Sequence, residues 1–395
     1  MSNEIHIVIV TGQPLANLIP ILERPPHTVI LLVSGDMEQA SVSFKNLIQR
    51  LLPETEVRTF YGLPSTNMEH IQEWILNKLE ELPAEVPRTV NLTGGTKLMT
   101  LALYQILQDK RSQFIYLNIQ SSCIETLYPE MSIRTIPSLI NLETYLKAMD
   151  KTYRKALSDD PEWCQKSDER WAITKEFVQL STKKVDVLRA FNQIMAQAHD
   201  RKNNTEQPRT FNAGFRPLMD FIRKCSTAQL IDLDEAAGRF YIKNDAVRHY
   251  LSGGWLEEYC WQIAKTLNFE NLACGVRFTD DIDRKKDIGN ELDLMVVHNN
   301  RMLVIECKSG RIDIDGNDSE IIYKLDSIAS HAGGLNCDRL LVSAQELDHQ
   351  TAENRQVYSS ARAQAAGIEN CAGADLLNLK DRLQKWRDGK GLRKA

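Results

Sequence analysis

Long hydrophobic runs are missing from this 395-residue chain. The longest, such as Ile5–Val10 and Thr28–Val33, fall far short of the roughly 20 residues that span a bilayer. No basic segment precedes the first apolar run, so MSNEIHIVIV reads as a strand and not as a signal peptide. A cytoplasmic protein with no membrane contact is expected. Cysteine pairs are also missing. Cys123, Cys164, Cys225, Cys260, Cys274, Cys307, Cys337 and Cys371 stand singly with no C-x-x-C, which disfavours a zinc ribbon and leaves reduced, buried thiols. The eight histidines show neither H-x-x-x-H nor H-E-x-x-H spacing, which argues against a histidine-held metal. There is no G-x-x-x-x-G-K loop, so Walker-type nucleotide hydrolysis is not implied. Internal repeats and low-complexity tracts are absent.

An excess of positive charge is missing overall: 48 Lys and Arg face 53 Asp and Glu, a net charge of -5. Region by region the balance differs. Residues 1–145 carry 10 basic against 15 acidic side chains, residues 146–250 carry 19 against 15, and residues 251–395 carry 19 against 23. A basic middle between acidic ends fits polyanion contact there, or a solvated helical surface. Hydrophobic residues make up 43% and charged residues 26%, the mix of a globular protein with real cores. At about 150 residues per domain, two to three domains are expected.

The first segment alternates strands and helices. Strands read at Ile5–Val10, Thr28–Val33, Glu56–Phe60, Thr89–Leu92 and Phe114–Ile119, with helices after Pro14, at Met37–Leu52, Met68–Leu82 and from Lys97 to Gln108. Continuous apolar strands in such alternation indicate a parallel, doubly wound sheet, whose ligands bind in loops at the carboxyl ends of strands. From about 146 to 250 the text is polar, basic and helical, with a helix at Pro217–Cys225 and a strand near Gly238–Ile242, compatible with a winged-helix-like connector. From 251 a helix (Trp255–Leu267) precedes strands at Glu291–Val297 and Met302–Lys308, a helix near Glu320–Ser330 and a strand at Arg339–Ser343. Asn299-Asn300 suits a tight turn between the two central strands, because asparagine tolerates positive φ.

The strongest chemical signal lies on that hairpin. Residues i and i+2 of a strand share a face, so Glu306 and Lys308 point one way while Ile305 and Cys307 pack the other. Asp293 shares its face with Glu291, opposite Leu292 and Leu294. Carboxylates brought together on paired strands repel unless a cation lies between them, and hard oxygens suit Mg²⁺ or Mn²⁺. Lys308 is placed to orient a water or neutralise charge developing on phosphate. The bland alternative is a surface hairpin carrying an ion pair. The constellation resembles the PD-(D/E)xK nucleases over roughly residues 251–345. Asp293 matches the Asp of that pattern, and Glu306-Cys307-Lys308 its Glu-x-Lys. The resemblance implies a further glutamate from the preceding helix, Glu257 or its neighbour Glu258 with Glu257 preferred, and the Cys307 carbonyl as another ligand.

A second signal is Asn91-Leu92-Thr93-Gly94-Gly95-Thr96-Lys97, where a strand hands over to a helix. Two glycines admit a close ligand, and free N–H groups, the Thr93 and Thr96 hydroxyls and Lys97 favour phosphate. The loop Thr11-Gly12-Gln13-Pro14 lies opposite if both strands are central. A capped tight turn is the plain alternative. Taken with the nuclease segment, the whole chain resembles a CARF nuclease, a CRISPR-associated Rossmann fold joined to a C-terminal PD-(D/E)xK domain. That resemblance implies an α/β protein with a Rossmann-like CARF sensor at 1–145, a helical connector at 146–250 and a nuclease domain at 251–395. It further implies a cytoplasmic homodimer of type III CRISPR antiviral defence that binds a cyclic oligoadenylate, commonly the tetra-adenylate, across its dyad. Thr11, Gly12, Gln13, Ser34, Thr93, Gly94, Gly95, Thr96 and Lys97 would line the ring. Glu257, Asp293, Glu306 and the Cys307 carbonyl would hold Mg²⁺ or Mn²⁺, with Lys308 assisting hydrolysis of DNA or RNA. The competing expectation is a ligand-responsive DNA-binding regulator whose third domain is a relic.

Overall fold

The protein is described here by a computed structural model covering residues 2–80, 83, 85–197, 208–281, 289–310, 318–334, 337–350 and 356–392. The five strands read from the apolar runs, β1 (Ser2–Ile9), β2 (Pro26–Val33), β3 (Glu56–Tyr61), β4 (Arg88–Asn91) and β5 (Ser112–Asn118), pair in parallel. Two strands not anticipated, β6 (Cys123–Tyr128) and β7 (Ser132–Thr135), extend the sheet antiparallel at one edge, giving the order 3-2-1-4-5-6-7. From Ile5 to Ile9 of β1 and from Thr28 to Val33 of β2 every residue is buried, so successive side chains feed opposite cores. Val8 and Leu31 pack under α1 (Leu15–Glu23) and α2 (Glu38–Leu51), while Ile7 and Leu32 pack under α3 (Met68–Leu79) and α4 (Lys97–Leu107). The order turns back between β1 and β4, so a crevice opens beyond their carboxyl ends.

After α5 (Leu142–Ala148), the strand β8 (Lys151–Lys155) leaves the first sheet and becomes the edge of a second. The helices α6 (Pro161–Glu169), α7 (Trp171–Lys183), α8 (Val185–Met195) and α9 (Arg216–Thr227) follow, with a small sheet of β9 (Arg209–Thr210), β10 (Ile231–Asp234) and β11 (Arg239–Ile242). Next come α10 (Asp245–His249), a π-helical turn at Tyr250–Gly254, α11 (Trp255–Lys265), β12 (Asn271–Asp280), β13 (Gly289–His298) and β14 (Arg301–Lys308). The chain ends with α12 (Asp318–Gly333), β15 (Cys337–Ser343), the pair β16 (Asp348–Gln350) and β17 (Gln356–Tyr358), α13 (Ser359–Ala365), β18 (Glu369–Ala372) and α14 (Leu379–Arg387). The second sheet runs 18-15-14-13-12-8, parallel only across β14–β15–β18.

The middle segment does not stand apart as a separate linker. Phe177, Phe191 and Phe221 of α7, α8 and α9 share one core with Trp255 of α11, Ile305 of β14 and Trp386 of α14. Helix α14 is part of this packing: Trp386 is fully buried, and Arg382, also buried, is held between Asp375 and Glu369. All eight cysteines are free. Among the described residues no helix is long and apolar enough to cross a membrane.

Candidate functional site

Asn299 and Asn300 both adopt positive φ, +49° and +60°, the hand that closes a two-residue hairpin. β13 and β14 then run in register from His298–Arg301 to Leu294–Ile305, and there the ladder stops. Beyond it the Asp293 carboxylate takes over from the backbone, accepting the Cys307 N–H at 2.6 Å. The neighbouring strand β12 is distorted at the same level by Gly275, at φ +63°. The expected strict alternation fails here: Leu292 joins the core on one face of the sheet and Leu294 the core on the other. Asp293 therefore sits in a fork between two strands. Glu306 is buried on β14, and Lys308 reaches back to it, Nζ to Oε1 at 2.5 Å. Cys307 points into the core, its Sγ 3.6 Å from that of Cys260.

The helix supplying the third acid starts from an irregular turn. Gly253 takes φ +155°, and a Cβ there would stand 2.8 Å from the Ser309 hydroxyl, so only glycine lets α11 begin this close to the end of β14. The two first-turn glutamates then diverge. Glu258 is buried against Arg170, which grips it with two nitrogens and stacks over the Tyr250 ring at 4.7 Å. Glu257 has no such partner among the described residues. Burial, followed by the charges of Asp293, Glu291 and Glu306, pushes its carboxyl up to about 9. Burial and the Glu306 charge push Asp293 up to about 7, against the pull of the Cys307 N–H and Lys308. Burial alone would lower Lys308, but the charge and hydrogen bond of Glu306 hold it above its ordinary value. Glu291, the competing carboxylate, is diverted to an exposed pair with Arg277 at 3.1 Å.

Three carboxyl groups, two of them pushed up by burial and by their neighbours' charge, with one lysine among them form a site short of positive charge. Among the described residues no group of three His, Cys, Asp or Glu side chains forms a ready metal cage. The donor set still fits Mg²⁺ or Mn²⁺. These ions take hard oxygens, and Mg²⁺ is usually held by one or two carboxylates with waters and substrate oxygens completing its shell.

At the crevice of the first sheet, a buried amide pair stitches the two loops together. Asn17 donates to the Ile9 carbonyl at 2.7 Å, and Asn91 donates to Asn17 at 2.9 Å and to the Ala16 carbonyl at 2.8 Å. The sequence reading missed Asn17, whose position inside an apolar helix stretch was the available signal. Asn91 in turn accepts from the Thr93 N–H and hydroxyl. The Thr93 hydroxyl also accepts the Leu117 N–H at 2.8 Å, so it is spent on the fold and not presented to a ligand. Gly94 and Gly95 are required by packing: a Cβ on either would fall within 3 Å of Thr11 or Ile9, and Gly95 adopts φ +89°. Thr96 caps α4 through the Met99 N–H. Gly12, Gly95, Thr96 and Lys97 face solvent, Thr11 is half-buried, and Ser34 is buried at the end of β2. Gln13 turns elsewhere, toward Gly334 at the end of α12, where a Cβ would stand 2.6 Å from its side-chain oxygen.

A family described as the Card1 CARF domain matches residues 5–145, and one described as the Card1-like endonuclease domain matches residues 243–389. Among solved structures, protein VC1899 from Vibrio cholerae superposes with a TM-score of 0.81 at 20% identity, covering 99% of each chain. Can2 from Sulfobacillus thermosulfidooxidans, solved in complex with cyclic tetra-adenylate, gives 0.77 at 22% identity over 98% of each chain. Such identities show a shared fold. Comparison with the curated proteins gives no match.

Proposed function

The chain belongs to the Card1-type CARF nucleases, carrying a CARF domain followed by a Card1-like endonuclease domain, and from that premise we propose that it is a metal-dependent phosphodiesterase switched on by a cyclic oligoadenylate. The observation that carries the reading is the convergence of Glu257, Asp293 and Glu306 around Lys308, with two of the carboxyls driven far above their ordinary range. Asp293, Glu306, Glu257 and the Cys307 carbonyl would hold Mg²⁺ or Mn²⁺. When bound, the ion supplies charge neutralisation at the scissile phosphate and a more acidic water. Lys308, fixed by Glu306, orients the attacking water and offsets charge that builds on the phosphoryl oxygens. Asp293 ties the fork to the Cys307 N–H, so the Glu-x-Lys strand end cannot drift from the acids.

For the activator, the crevice beyond β1 and β4 offers Thr11, Gly12, Gly94, Gly95, Thr96 and Lys97, with the start of α4 supplying free N–H groups. Ser34 and Gln13 border it, and Thr93 acts through Asn91. The Can2 complex with cyclic tetra-adenylate supports that ring as the ligand. A homodimer is supported by Leu98 and Leu101, which stand 40% and 53% exposed on α4 directly after the ring loop, three residues apart and so on one face. A second copy covering them would place two ring loops across a dyad.

Asp293→Ala and Glu306→Ala are each expected to abolish cleavage of nucleic acid in the presence of Mn²⁺ and cyclic tetra-adenylate. Calorimetric binding of the ring should be unchanged. Full cleavage by both variants, or loss of ring binding with them, overturns the assignment.

A further inference from the structure

A basic groove of 430 Å³ lies between the last turns of α7 and the first turns of α9. Lys183, Lys184, Arg216 and Lys224 line it, with Glu176 and Asp220 as the only acids. Both acids are already taken: Glu176 pairs with Lys224 at 2.7 Å and Asp220 with Arg223 at 3.2 Å. Lys183, Lys184 and Arg216 are exposed and make no ion pair among the described residues. Three uncompensated cations within one groove, one of them opening a twelve-residue helix whose N-terminus adds its own positive end, are costly to the free protein and favour a polyanion.

The groove is also tied to the catalytic strands. The Ser181 hydroxyl, two residues before Lys183, donates to the Ala344 carbonyl, and the Ala344 N–H donates to the Lys308 carbonyl at 2.8 Å. From α8, Asn192 donates to the Ser309 carbonyl at 3.1 Å and Arg189 to Gln345 at 3.0 Å.

We propose that this α7–α9 groove grips the phosphodiester backbone of the nucleic-acid substrate, so that the basic middle segment is the substrate-binding platform of the nuclease. The inference rests on the nuclease reading above and names its substrate track. Contact with phosphates gives affinity without sequence choice, and each contact contributes roughly 0.7–0.9 to the slope of log K against log salt.

The test uses the full chain carrying Asp293→Ala, cyclic tetra-adenylate, and fluorescein-labelled 20-nucleotide single strands of DNA and RNA and their duplexes. Adding Lys183→Glu, Lys184→Glu and Arg216→Glu should weaken binding of the preferred probe at least tenfold near 0.1 M salt. The milder Lys183→Gln/Lys184→Gln pair should flatten the salt slope by about 1.5. Ring binding should be untouched in both. Unchanged affinity and slope in either variant overturn the groove and leave the nuclease reading standing. Absence of cleavage by the unaltered protein with metal and ring overturns the nuclease reading itself, whatever the groove does.

Discussion

Glu257 and Glu258 are neighbours on the first turn of α11, rotated roughly 100° from each other around the helix. That rotation puts one carboxylate in the grip of Arg170 and the other among Asp293, Glu306 and Glu291. Removing each therefore has a different consequence. Glu258→Gln leaves Arg170 buried without its anion and should cost about 3–5 kcal/mol, read as a lower midpoint in denaturant. Glu257→Gln removes a carboxyl that must take up a proton to fold at neutral pH, so stability there should hold or rise while cleavage is lost. The same proton uptake sets a pH dependence. Glu257 and Asp293 bind protons more tightly folded than unfolded, so in metal-free protein stability falls as pH rises from their ordinary values through about 7 for Asp293 and about 9 for Glu257. Thermal midpoints of the chelated protein should drop between pH 5 and pH 9, and Mn²⁺ should restore more stability at pH 8 than at pH 5. A midpoint that falls with pH in the Asp293→Asn/Glu257→Gln protein as steeply as in the parent would show that other groups govern it.

At the scale of elements, legibility in the sequence followed burial. β1, β2 and β5 announced themselves as apolar runs because both faces of a parallel strand are covered. β7 and β8 did not. Ser132–Thr135 is an exposed edge with no apolar face, and Lys151–Lys155 reads as a charged segment until the buried Lys151 ammonium is seen against Asp280. The fork at Asp293 was legible in residue type but not in geometry. Period-two reasoning assumes an intact ladder, and here the ladder ends and Gly275 distorts the neighbouring strand. Gly333 and Gly334 mark where the modules meet. The Tyr145 hydroxyl donates to the Gly333 carbonyl at 2.9 Å, and Gln13 abuts Gly334. Since α12 follows the Glu-x-Lys strand in the chain and its far end touches the loop after β1, it is the element both sites can bias. Tyr145→Phe should leave ring binding and activator-free cleavage near parental levels while cutting the fold-activation by cyclic tetra-adenylate about fivefold, the weight of one hydrogen bond of roughly 1 kcal/mol. Parental fold-activation in that variant would remove α12 from the coupling.

At the scale of the molecule, the division into sensor, connector and nuclease that the sequence invites meets a continuous interior. One apolar cluster runs from Val8, Leu18 and Leu31 under the first sheet through Tyr145 and Ala148 to Met295, Val304, Ile322 and Leu341 under the second. Polar contacts cross the same boundary, with Asn300 accepting the Leu139 and Ile140 N–H groups and Ser122 donating to the Asn299 carbonyl. The middle helices close the opposite face of the second sheet with Trp255, Phe177 and Trp386. Separating the modules would expose apolar surface of this shared cluster that neither could cover alone. Unfolding should accordingly be one cooperative event. Tyrosine- and tryptophan-reporting signals should melt together, although all six tryptophans except Trp74 lie beyond residue 145. A ring bound only to the first 145 residues should then raise the midpoint reported by the tryptophans of the other 250, through a stabilisation of about 2.7 kcal/mol at a ligand concentration 100 times Kd. Two separated transitions, or a ring-induced shift confined to the first, would mean that the shared core is too weak to transmit binding. Activation would then have to travel through the proposed dimer contact instead of through each chain.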